Sequence, residues 1–274
     1  MRAALLDFWL MSPASDTAFE FVNTGGAAPL LLVCDHASRA FPPHLGTLGV
    51  PEPDTFEHIA WDIGAAELTR GLAQALDAPA VLCRWSRLVV DCNRRLDHPS
   101  AFPVESDRIE VPGNVGLTAE DREWRIQHIY RPYHGAIDAQ LDAMLARGAA
   151  PAFVSVHSFT PLMGEIARPW HIGTLWDQDD RLARPVLESL RSVDGLHVGD
   201  NEPYSGRHPT DYTLHAHAAV RSIPYIGFEV RQDLLATRGG IAYWVGLLER
   251  ALRHALGSPG VQEPSPSPKA ISGR

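Results

Sequence analysis

The chain has little with which to cross-link itself, cross a membrane or grip a nucleic acid. Three cysteines stand among 274 residues, at positions 34, 83 and 92, and none belongs to a Cys-x-x-Cys pair. That odd, unpaired set excludes a disulfide framework, so buried free thiols in a reducing compartment are expected. Met1 to Met11 is a short, interrupted apolar stretch with one Arg, and it reads as neither signal peptide nor membrane span. A cytoplasmic protein without a membrane partner is the expectation. Lys and Arg together number 24 against 33 Asp and Glu, a formal charge of −9. This balance argues against a nucleic-acid partner, which calls for clustered basic residues. It leaves room for a small anionic substrate at one local Arg cluster. There is no Gly-x-Ser-x-Gly elbow, which speaks against a serine hydrolase, and no His-Glu-x-x-His. His36-x-x-Arg39 is not the His-x-x-Glu of zinc carboxypeptidases. Internal repeats and a Ser/Gly-rich internal linker are also missing.

What is present is ordinary globular material, 45% apolar with aromatics and charges of both signs. The length suits one large α/β domain, predicted over residues 1–257. The Pro- and Ser-rich residues 258–274 are predicted to form a disordered tail. Leu30 to Cys34 reads as a strand buried on both faces, as in a parallel sheet covered by helices on each side. The run stops at Asp35-His36, and open α/β sheets bind ligands just beyond the carboxyl ends of their strands. Further strands are predicted at 19–22 (an edge), 80–83, 87–92, 152–156, near 198 and at 225–231. Helices are predicted from Asp62, from the capping box at Thr118 to about 148 with a kink at Pro132, over 180–191, around 212–220 and over 241–256. Residues 97–117 form a loop long enough to be functional or mobile. The alternation gives an α/β fold with a mainly parallel sheet flanked by helices.

Several strand ends or helix starts carry groups that bind metals or handle protons: His36, Asp62, His157 and Glu229. Two imidazoles, one carboxylate and an open fourth position make a common catalytic zinc site. A separate carboxylate can then act as general base. Glu229 suits that role because it lies in an apolar strand, where desolvation raises its pKa toward neutrality. Each residue also has a bland reading. Asp62 may be read as a helix N-cap, His157 as a hydrogen-bonded strand end, and Glu229 as the partner of Arg231 or another Arg. Ser86 to Arg95 reads as a strand delivering Asn93 and Arg94 to the crevice, where the pair would bind a substrate carboxylate. A solvated basic strand end, or Arg pairing with Asp91 or Asp97, is the equal alternative.

Six blocks in order carry a resemblance: Val33–Ser38, Trp61–Ala65, Ser86–Arg94, Val156–Pro161, Asp200–Gly206 and Glu229–Leu234. Together they resemble the N-formylglutamate amidohydrolase family over about residues 19–250. The resemblance implies a phosphorylase/hydrolase-like, zinc-carboxypeptidase-like fold, one zinc ion per chain and release of formate from N-formyl-L-glutamate, a step of histidine degradation. By position it implies His36, Asp62 and His157 as zinc ligands and Glu229 as general base, then acid. Asn93 and Arg94 would be the carboxylate-binding pair, with Arg87 and Arg231 as further anion contacts. Where some members have Pro-His-Ser-Gly, this chain has Asp35-His36-Ala37-Ser38. That departure leaves a different N-acyl amino acid or a peptide open as substrate, and a non-catalytic binding protein as the rival of another class.

Overall fold

The computed structural model describes residues 17–207 and 211–261. Of the predicted disordered tail, 258–261 are among these residues and turn back to bury Val261 against the core; residues 262–274 lie outside them, as do 1–16.

In chain order the elements are β1 (Phe19–Val22), β2 (Leu30–Cys34), α1 (Ala65–Leu76), β3 (Ala80–Cys83), a small hairpin of β4 (Glu105–Ser106) and β5 (Ile109–Glu110), α2 (Ala119–Arg125) and α3 (Arg131–Ala146). Then follow β6 (Ala152–Phe159), a second hairpin of β7 (Leu162–Met163) and β8 (Ile166–Ala167), β9 (Ile172–Leu175), α4 (Ala183–Arg191), β10 (Val198–Asp200), β11 (Tyr225–Arg231) and α5 (Arg238–Leu256). Seven strands make one mixed sheet in the order β1-β3-β2-β6-β11-β9-β10. The central four, β3-β2-β6-β11, are parallel. β1 joins β3 antiparallel, and β9 joins β11 antiparallel with β10 parallel to it.

The apolar pattern explains the layering. Along β2, Leu30, Leu32 and Cys34 enter the core under α1, α4 and α5. The alternating Leu31 and Val33 enter the opposite core with Ile137, Leu141 and Phe153. A strand with no solvated face is what an uninterrupted apolar run demands. All three cysteines are free and buried.

One sequence expectation is corrected. Residues 87–92 do not form a strand. Leu88, Val89 and Val90 are buried, but the Val89 N–H returns to Ser86 in a turn and the Asp91 N–H donates to the Ala101 carbonyl. The Leu88 and Val89 carbonyls are taken by Asn114 and Arg125 side chains, so no neighbouring strand is needed. The long helix is present, continuous from Ala119 to Ala146, with a π-turn over Ile126–Tyr130 between α2 and α3. Pro132, without an N–H, stands just past that π-turn, which is where the expected irregularity falls. The helix expected around 212–220 is also present, wound as a π-turn over Leu214–Ala218 that runs into a short 3-10 turn, Ala219–Arg221. Strand β9 was not anticipated at all.

Candidate active site

The carboxyl ends of three adjacent parallel strands supply the site. His36 follows β2 directly, and His157 and Glu229 face each other in register across β6 and β11. Asp62 comes from the turn before α1. It is not the helix cap: α1 starts at Ala65 and Gly64 stands at the N-cap with φ 81°. A side chain at Gly64 would come within 2.5 Å of the Leu235 Cβ, so glycine permits both the turn and the close approach of the following chain. The Asp62 carboxylate is thereby left to the site.

His157 Nδ1 lies 2.8 Å from Asp62 Oδ2 and His36 Nδ1 lies 3.4 Å from the same oxygen. Among the described residues these three form the one group whose ligand atoms lie close enough together to hold a metal ion. Each imidazole is anchored from behind. His36 Nε2 sits 2.8 Å from Asp91 Oδ1, and His157 Nε2 sits 3.3 Å from Asp35 Oδ2 and 2.9 Å from the Ser155 hydroxyl. With Nε2–H donating to a carboxylate, each ring presents its Nδ1 lone pair toward Asp62, the tautomer that a metal ligand needs. Asp35 is fixed by hydrogen bonds from Tyr133 and Thr213 at 2.9 and 2.7 Å. Asp91 is fixed by the Arg87 guanidinium and the Asn93 N–H.

Burial by itself raises every carboxyl here, and the charges around each decide the outcome. For Asp62 burial is outweighed by His36 and His157, which hold it well below the carboxylate range. For Asp91 burial is outweighed chiefly by Arg87. Burial of Asp35 yields to the hydrogen bond and charge of His157, bringing it down to about 2. Glu229 is the exception. Its burial, with the charge of Asp62, pushes it up to about 8 against the pull of His157, and its Oε2 has no protein partner.

These groups open on a cavity of about 680 Å³. Arg87, Asn93 and Arg94 line it, as do Tyr204, Arg207 and Asp211. The Arg-rich segment faces the cavity and is also ion-paired within the protein. Arg87 pairs with Asp91, and Arg95 with Asp97. The Asn93 carboxamide oxygen is already taken by the Tyr212 and Thr213 N–H groups, which leaves its Nδ2 for a ligand. Arg94 is held by its own segment, through the Asn93 carbonyl and the Ser100 hydroxyl. Arg231 is turned to Asp233 at 2.8 Å and is not among the cavity-lining residues. Asp35, Ser155, Tyr133 and Thr213 escaped sequence reasoning. Asp35 was legible only as a neighbour of His36, and Tyr133 and Thr213 are 98 and 178 residues away from it.

The model of the N-formylglutamate amidohydrolase family matches residues 28–236. The chain belongs to that family. It is an amidohydrolase by that membership, and the buried His36–Asp62–His157 group is able to bind a metal ion. The chain is also similar to the crystal structure of the gene product Atu2144 from Agrobacterium tumefaciens, at 36% identity and a TM-score of 0.86, over 89% of this chain and 97% of that one. The crystal structure of N-formylglutamate amidohydrolase from Ralstonia eutropha JMP134 shares the fold, at 18% identity and a TM-score of 0.64, over 87% and 97% of the two chains. No curated protein matches the chain. Among the described residues no helix is long and apolar enough to cross a membrane.

Proposed function

We propose that the chain hydrolyses the amide bond of an N-acyl amino acid in a zinc-dependent reaction, with N-formyl-L-glutamate as the substrate, giving formate and L-glutamate. The observation that carries this reading is the convergence of two Nδ1 atoms and one carboxylate oxygen beside Glu229, which lines the cavity and whose Oε2 has no protein partner. Two imidazoles and one carboxylate with a position left open are the donor set of a catalytic rather than a structural zinc site. Zinc held there supplies Lewis acidity and favours ionisation of water near neutral pH. Glu229 takes the proton of the attacking water and delivers it to the leaving nitrogen. A carboxyl balanced near neutrality suits both halves of that task. Arg87, Arg94 and the Asn93 Nδ2 bind and orient the substrate carboxylates. Asp35 and Asp91 keep the two imidazoles in the ligand tautomer.

Formate release by the zinc-loaded protein, beside a chelated control, tests the reading. Chelator-sensitive release is expected, and Glu229→Gln should keep its metal while turnover falls by about 10²–10⁴-fold. A Glu229→Gln protein with a near-normal rate would sink the general-base role. Release from N-acetyl but not N-formyl substrate would move the acyl group and leave the site assignment standing.

A further inference from the structure

A second acid lines the cavity and has no place in the scheme above. Asp211 stands just ahead of the π-turn Leu214–Ala218 and lines the cavity. Its Oδ1 is buried and has no hydrogen-bond partner in the protein. Burial holds this carboxyl above its ordinary range, although His157 and Arg94 pull it down, and its charge is felt by Glu229. Asp211 therefore lies within electrostatic reach of the carboxylate-binding Arg94 and of the residue that faces the scissile bond. A buried acceptor without a donor calls for a partner that the protein itself does not hold.

The substrate's own chemistry narrows that partner. An N-acyl amino acid with its carboxylates ionised carries many acceptors and a single strong donor, the amide N–H. Arg87, Arg94 and the Asn93 Nδ2 reach the cavity as donors, matched to carboxylates. Of the other acids that line it, Asp200 is bound to Trp176 and Arg191 and Glu202 is exposed, so neither is a buried orphan like Asp211. Glu229 is occupied with the proton of water. We propose that Asp211 is a specificity-determining residue whose free oxygen accepts the hydrogen bond of the scissile amide N–H and then of the product's ammonium group, which restricts the site to secondary amides of α-amino acids. Esters and N-acylated prolines, which lack that hydrogen, are poor substrates for this reason. The inference rests on the amidohydrolase reading and deepens it.

Asp211→Asn is the informative variant. Asn keeps the shape of Asp, while an amide NH₂ replaces one of the two acceptor oxygens. The substrates are N-formyl-L-glutamate and its ester counterpart, 2-formyloxyglutarate, in which oxygen replaces N–H. Intrinsic ester reactivity cancels when the two kcat/KM values are compared within each protein. The expected result is a tenfold or larger loss of the amide-over-ester preference in Asp211→Asn, with ester turnover little changed. A loss by the same factor on both substrates would overturn the assignment and leave Asp211 a structural group of the cavity wall. A binding readout separates this from the parent reading: wild-type protein should bind L-glutamate at least tenfold more tightly than 2-hydroxyglutarate, and Asp211→Asn should not. Binding of both without preference would overturn the Asp211 role alone, and binding of neither, with no turnover, would take the amidohydrolase site down with it.

Discussion

Two pairs of buried histidines stand among the described residues, and their difference shows what makes one of them a site. His36 and His157 have ring centroids 5.0 Å apart, and so have His134 and His217. The first pair is tilted by 62°, the second stacked at 18°. In the first pair both Nδ1 atoms aim at one carboxylate, Asp62, while separate acids hold the far nitrogens. In the second the imidazoles bond to each other, His134 Nδ1 to His217 Nε2 at 2.7 Å. The chain then ends on the Cys92 carbonyl at one side and on Asp138, itself paired with Arg221, at the other. Every nitrogen of the second pair is spent on another protein atom. Lone pairs of the first converge on a shared point and leave a cation the place between them. Histidine content and burial are alike; the direction of the ring nitrogens is what differs.

The hardest break is His157→Ala. If convergence makes the site, zinc supplied to the wild-type chain should survive dialysis, as read by metal analysis, and should be lost altogether from this variant, whereas His217→Ala should retain it. Retention of metal by both variants would erase the distinction. A gentler change is Asp35→Asn, which keeps the shape behind His157 but removes the charge that holds its tautomer. Metal affinity should fall by about 10–100-fold, the usual cost of losing such a partner, with the fold intact by circular dichroism. An unchanged affinity would make Asp35 a core-filling group fixed by Tyr133 and Thr213.

The groups of the candidate site were legible because each lies at or near the end of an apolar run or just ahead of a helix: His36 after Leu30–Cys34, His157 late in β6, Glu229 inside β11, and Asp62 before α1. Parallel strands bring such ends to one edge, so position in the chain carried over to position in space. The anchors were not legible in this way. Asp35 touches Tyr133 and Thr213, from a helix and a turn far along the chain, and no local pattern marks them. The segment 87–92 misled because its apolar run is buried without being in the sheet. Its carbonyls are satisfied by Asn114 and Arg125, contacts 26 and 36 residues away. β9 was missed for the opposite reason: with Gly173 and Thr174 in four residues it carries little apolar pattern. Its glycine is required by the Glu202 carbonyl, which occupies the space a Cβ would fill.

The second pair should reveal itself by pH rather than by metal. Burial, with the neighbouring His217, brings His134 down from its ordinary 6.5 to about 4, whereas the carboxylates around His36 and His157 raise theirs against burial. The Cys92 carbonyl can only accept, so His134 Nε2 keeps its hydrogen and Nδ1 accepts from His217 as long as His134 is neutral. Between pH 6.5 and 4 the unfolded chain takes up a proton at this residue that the folded chain refuses. The contribution is therefore complete above the unfolded pKa and is lost as pH falls through that window. From pH 7 to pH 5 the loss should be about 1–2 kcal/mol. His134→Gln can make both hydrogen bonds without titrating, donating to the Cys92 carbonyl and accepting from His217. Urea unfolding of the chelated protein at both pH values should then give a smaller acid loss in the variant by about that amount. An equal loss in both proteins would mean that His134 does not titrate across this range, and that the acid sensitivity belongs to other groups.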